Sequence, residues 1–157
     1  MADPHDFVKI FFDLETDDPE SNIAGEALWA IPLGGDVYRL ANIPMFAWNV
    51  SYGNDVRASH AKDGRLVVVH TVAHGGRLTC RLVMVSDDRF EALLAEVRDA
   101  IVGFRIGFEA SEAYRIVALN IAPDERFTLI KHPLQRGVEA GKWKIEESNV
   151  TSKWQSA

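Results

Sequence analysis

A second cysteine is missing. Cys80 is the only thiol in 157 residues, so no intrachain disulfide can form, and a lone thiol points to a reducing, cytoplasmic setting. Its neighbourhood, Thr79 to Val85, is largely apolar, which suits a small buried hydrophobe better than a reactive group. Long hydrophobic runs are missing too. The longest are four or five residues, against roughly 20 for a membrane-spanning helix, so no membrane partner is expected. The opening Met-Ala-Asp-Pro-His-Asp has no basic stretch leading into an apolar one, so no secretory signal is expected either. In that setting Asn49-Val-Ser51 and Asn149-Val-Thr151 are chance sequons.

A basic surplus is also lacking. Seventeen Lys and Arg stand against 23 Asp and Glu, a net charge of −6. Such a surface repels phosphate backbones, disfavours a nucleic-acid partner and favours a basic protein one.

The motifs that carry chemistry are absent for reasons of spacing or context. His70 and His74 sit in a strand-like stretch, where four residues span roughly 13 Å. A zinc-protease pair needs that spacing on a helix with a glutamate between, and here Thr71-Val-Ala73 intervenes. No metal and no cofactor is therefore expected. There is no Gly-x-Ser-x-Gly elbow, and Cys80 lacks the local signatures of catalytic cysteines, so no catalytic residue is assigned. Gly34-Gly35 and Gly75-Gly76 lie between strands rather than at the strand-to-helix junction that cradles phosphate.

What is present is ordinary globular composition, 47% apolar and 25% charged, enough to bury a core without covalent staples. Val8 to Leu14 reads as a strand. Ala27–Ile31 and Val37–Leu40 flank Gly34-Gly35-Asp36, a hairpin signal. Met45 to Val50 is a further apolar run after Pro44. A second hairpin joins Asp55–Ala58 to Arg65–Val72 through Lys62-Asp63-Gly64. Short strands and frequent turns predict a small β-barrel-like lobe over residues 1–75.

After Gly75-Gly76 the period changes. Leu78 to Val85 is a strand. Asp88, with Glu91 three places on, is placed as the cap of a helix that carries Phe90, Leu93, Leu94, Val97 and Ile101 on one face and ends at Gly103. Phe104–Glu109 and Tyr114–Ile121 form a hairpin. Pro123-Asp124 opens a second helix, which Pro133 must kink or split and Gly141 ends. Trp143–Ile145 is a last short strand. The order β-α-β-β-α-β predicts a ferredoxin-like lobe over residues 76–150. Residues 151–157 are read as a flexible tail, with Trp154 its one candidate for docking. The fold class is thus α+β, and with no linker between them the two lobes are expected to share one core.

Two features bear on binding. Asp13, Glu15, Asp17, Asp18 and Glu20 form an acidic cluster without the spacing of a calcium loop. Trp29, Tyr38, Phe46, Trp48 and Tyr52 crowd into 24 residues. Most are needed as core, but Trp48 or Tyr52 left exposed would form an interaction patch. Interleaved Arg39, Arg57 and Arg65 raise single-strand stacking as a weaker alternative.

The runs Leu28-Trp29-Ala30, Tyr38-Arg-Leu-Ala-Asn-Ile-Pro44 and Ser51-Tyr-Gly53 resemble the bacterial family grouped as domain of unknown function 4265. The likeness continues through Asp63-Gly-Arg-Leu66, Gly76, Thr79-Cys-Arg81 and Gly141-Lys-Trp143. The chain departs from the family pattern at Gly53-Asn-Asp-Val56, at Arg77 and at Pro133. The resemblance implies no activity.

Small size, acidic charge and the missing catalytic set together favour a non-catalytic binding protein, most specifically an immunity or antitoxin-type inhibitor that occludes a basic toxin domain. Its contacts are assigned to Asp17, Asp18, Glu20, Trp48 and Tyr52. The first alternative is a small-molecule binder or enzyme using an inter-lobe cleft with Asn42, Asp55, His70 and Arg77. The second is a nucleic-acid-binding module, which the lack of outward aromatics between Thr79 and Val85 disfavours. The sequence does not specify an oligomeric state.

Overall fold

The computed structural model describes residues 6–14 and 23–157. Two adjacent residues with positive φ, Gly35 at 63° and Asp36 at 62°, turn the chain tightly between β2 (Gly25–Gly34) and β3 (Val37–Leu40). Such a turn matches the right-handed twist of the strands it joins. β1 (Val8–Asp13), β4 (Asp55–His60) and β5 (Leu66–Ala73) complete a closed five-stranded barrel. It runs as an antiparallel meander, and β1 closes on β5 in parallel through Ile10↔Leu66 and Phe11↔Val67. Alternation sends Ile10, Leu28, Ala30, Leu40 and Val56 inward to a core that also takes Ala47 and Val50.

The second unit begins at Leu78. β6 (Leu78–Met84), β7 (Ile106–Ser111), β8 (Ile116–Ile121) and β9 (Trp143–Asn149) form an antiparallel sheet in the order β7-β8-β6-β9, with α1 (Phe90–Ile101) and α2 (Phe127–Glu139) as the crossovers. This is the ferredoxin-like arrangement. Its core joins Leu78, Cys80, Leu82 and Met84 to Phe90, Leu93, Val97 and Ile101 of α1 and to Phe127, Ile130 and Leu134 of α2. The fold is α+β as the pattern of elements implied. The buried apolar residues gather into two clusters, one in each unit.

Four local expectations change. Asp88 does not cap α1: the helix follows Arg89, which makes no side-chain cap, while Asp88 accepts a 2.9 Å bond from Lys142 Nζ. That bond, first among its causes, holds the Asp88 carboxyl below its ordinary range. Glu91 pairs with Arg89 at 3.2 Å instead of reaching back to the cap. α2 begins at Phe127 and runs unsplit through Pro133. The proline has no N–H for the Leu129 carbonyl, but Leu129 is exposed and water can take the place. Finally, the expected flexible tail is ordered. Thr151 accepts the Trp154 N–H at 3.3 Å and caps α3 (Ser152–Gln155), and Trp154 is buried in the second core.

Cys80 is fully buried on β6. Burial, and secondarily the charge of Glu147, push its thiol up to about 12. It is a structural residue and unreactive in the folded chain.

Candidate binding surface

The surface is built from β2 outward. Leu28 and Ala30 point into the barrel, so Trp29 between them points out and is 44% exposed. Lys9 lies opposite it across the β1–β2 ladder, with Nζ 4.8 Å from the ring centroid. The backbone of Trp29 also docks the connection between β3 and β4. Its N–H donates to Asn42 Oδ1 at 2.7 Å and its carbonyl accepts from Ala41 at 2.9 Å.

The run from Met45 to Val50 is not a strand, so its amides have no ladder partners. Glu26, one step inward on β2 and 9% exposed, supplies them. Its carboxylate accepts from the N–H groups of Met45 (2.6 Å), Phe46 (3.1 Å) and Ala47 (2.9 Å). Charge-assisted bonds of this kind are about twice as strong as neutral ones. With Ala47 and Val50 buried, Trp48 is turned out to 55% exposure.

A second clasp holds the end of the connection. Asn54 N–H donates to the Ser51 carbonyl at 3.1 Å, Leu40 N–H to the Asn54 carbonyl at 2.9 Å, and Gly53 N–H to the Leu40 carbonyl at 2.9 Å. Ser51 N–H donates to Asn54 Oδ1 at 3.0 Å. That donor fixes the atom as oxygen, so His74 Nδ1, 3.1 Å away, must carry its proton. Tyr52 stands at the tip of this turn, 39% exposed. Trp48 and Tyr52 therefore protrude from a connection tied down at both ends, and Trp29 protrudes from the strand it is tied to.

Glu26→Ala would leave three loop amides without their acceptor. The expected loss is about 3 kcal/mol, read as a lower urea midpoint together with faster hydrogen exchange at Met45, Phe46 and Ala47.

The remaining sequence candidates fall out as follows. Asp17, Asp18 and Glu20 lie outside the described residues. Asn42 is engaged by Trp29. Asp55 accepts from Arg39 Nε at 2.9 Å and Nη2 at 3.2 Å. His70 pairs with Arg57 on the β4–β5 ladder, whereas Asp55 pairs with Ala73. Arg77 follows β5 and ends the first unit. Among the described residues no three His, Cys, Asp or Glu side chains gather in a way that would hold a metal ion. Glu26, Lys9 and Asn54 were not singled out by sequence. Only the outward position of Trp29 had a signal, its place between two inward-facing residues.

The sequence profile described as a domain of unknown function, DUF4265, matches residues 26–145. The chain belongs to this family. The match begins at Glu26, the anchor of the aromatic connection, and extends into β9. A solved structure, a novel crystal structure of a hypothetical protein from Neisseria gonorrhoeae, is similar with a TM-score of 0.73. The likeness covers 91% of this chain and 94% of that one at 24% identity, and it bears on the fold alone. No curated protein matches the sequence. Among the described residues no helix is long and apolar enough to cross a membrane.

Proposed function

We propose that this DUF4265 protein is a non-catalytic protein-binding protein whose contact surface is the aromatic connection of the barrel unit, centred on Trp48 and Tyr52 and bordered by Trp29. The observation that supports the reading is that these aromatics are held outward on a framework in which Glu26, Asn42 and Asn54 accept from backbone N–H groups of the connection and of β2. Large aromatics presented on a rigid support are the residues that dominate binding energy at interfaces, because little side-chain freedom is lost on contact. The net charge of −6 favours a basic partner and speeds encounter with it. In its most specific form the partner is a basic toxin domain whose cleft is occluded, with Asp17, Asp18 and Glu20 adding to the contact.

Co-purification of the tagged full chain from its native host tests this. A basic protein should be recovered in stoichiometric amount. Trp48→Ala and Tyr52→Ala should each weaken its binding roughly 30-fold and shift stability by no more than about 0.5 kcal/mol. Recovery of the chain alone, or a partner retained equally by both variants, would sink the proposal.

A further inference from the structure

The four-stranded sheet ends on β9, which among the described residues pairs with β6 and no other strand. Two bonds fix which backbone groups point where. Met84 N–H donates to the Arg115 carbonyl at 2.9 Å, and Val85 N–H to the Lys142 carbonyl at 3.0 Å. Even-numbered residues of β6 therefore serve β8 and odd-numbered ones serve β9. The antiparallel partners of Val83 and Arg81 are Lys144 and Glu146. Ile145, between them, must direct its N–H and C=O away from the sheet, to the open edge.

A groove of about 670 Å³ runs beside that edge, between β9, α2 and α3. Leu134, Val138, Ile145 and Trp154 give it an apolar lining, and Lys131, His132 and Lys144 stand around it. α2 and β9 meet where the Trp143 ring lies on Gly137. At the other end Trp154 bridges them, its Nε1 donating to Glu147 of β9 and its ring under Lys131 of α2. Lys131 donates to the Trp154 and Ala157 carbonyls and Lys144 has no ion-pair partner among the described residues, so against the one carboxylate of Glu147 the two lysines leave the groove net positive.

We propose that this groove receives an extended acidic and apolar peptide segment of a partner protein, added to β9 as a fifth strand. An edge strand with outward backbone groups, a helix alongside and an apolar trough between them are the components of strand-addition recognition. The Ile145 amide and carbonyl hold the peptide main chain. Alternate peptide side chains fall into the trough, since successive residues of a strand face opposite ways. Acidic residues of the peptide meet Lys144 and Lys131. A second copy of this chain fits less well, because pairing β9 with β9 sets two cationic rims against each other. The groove is built from residues of the second unit, none of them in the aromatic connection.

Panning a phage-displayed library of short random peptides on the full-length protein supplies the probe. Enriched peptides should alternate apolar and acidic positions. Ile145→Pro removes only an outward N–H from the backbone, a change edge strands tolerate, and should weaken the best peptide about tenfold. Lys144→Glu is exposed and keeps the fold. It should weaken the same peptide by a similar factor and reduce the salt dependence of binding. If Ile145→Pro does not fold, Lys144→Glu decides. The proposal is overturned if no peptide is enriched, or if the enriched peptide binds Lys144→Glu as tightly as the parent. It is equally overturned if the parent is a dimer that Lys144→Glu dissociates, which would make a second copy the occupant.

Discussion

Gly137→Ala is expected to destabilise the ferredoxin-like unit by about 3 kcal/mol, although alanine is by itself the better helix former by about 1 kcal/mol. A Cβ at this position would lie 2.1 Å from Trp143 Cζ2 and 2.2 Å from Cε2, far inside contact distance. The ring cannot simply step aside. It is buried, and its Nε1 donates to the Leu134 carbonyl at 3.0 Å. The backbone is fixed as well, because the end of α2 folds back through paired bonds, Gly141 N–H to the Val138 carbonyl and Lys142 N–H to the Gly137 carbonyl, with Gly141 at φ 71°. That return delivers Trp143 onto the helix one turn before its end. A double-mutant cycle isolates the contact. Trp143→Ala alone should cost about 3–5 kcal/mol, and adding Gly137→Ala to it should cost nothing further. Losses that simply add would show that the glycine acts through something other than this ring.

How much of this was legible depends on how local the cause is. The α1 face was read from spacing alone, and Phe90, Leu93, Val97 and Ile101 are the residues it buries. The Gly34-Gly35-Asp36 turn was equally readable, because φ preference is a property of single residues. Asp88 was misplaced because its actual partner, Lys142, is 54 residues away, and an Asp followed by Glu at the third place looks the same with or without such a partner. The irregular run from Met45 to Val50 had the composition of a strand. What makes it a connection is a carboxylate about 20 residues earlier, and a lone Glu inside a strand pattern reads only as an exception. Trp48 and Tyr52 could be named as candidates, but their exposure follows from which neighbours are buried, which spacing in an irregular segment does not tell. Pro133 was overweighted: an exposed carbonyl loses little when its helical donor is absent.

Trp154→Ala should both destabilise the second unit, by about 4 kcal/mol, and make Cys80 reactive in the native state. Trp154 is held from four sides. Its Nε1 donates to Glu147, its carbonyl accepts from Lys131, whose ammonium also lies 5.0 Å from the ring centroid, and Phe127 meets the ring edge-on at 5.2 Å. Glu147 and Lys131 are also, with Arg81, among the side chains whose charges bear on Cys80, Glu147 raising the thiol and Lys131 and Arg81 lowering it. The thiol and the indole therefore belong to one packed neighbourhood of this core. With its thiol pushed up to about 12, Cys80 carries almost no thiolate near neutral pH, and burial bars the reagent besides. Removing the indole admits water, returns the thiol towards its ordinary range and opens a path. The signs agree: lower thiol pKa, more thiolate, faster reaction with an aromatic disulfide reagent. Global unfolding would also expose Cys80, so the rate must be judged against stability. Gly137→Ala, similarly destabilised but with Trp154 in place, sets the rate that unfolding alone gives. Trp154→Ala should exceed it at equal stability, and Trp154→Phe, which keeps a ring and loses only the bond to Glu147, should fall near the parent. Equal rates for the alanine variants at equal stability would mean that the indole guards the fold of this unit but not the thiol in the same core.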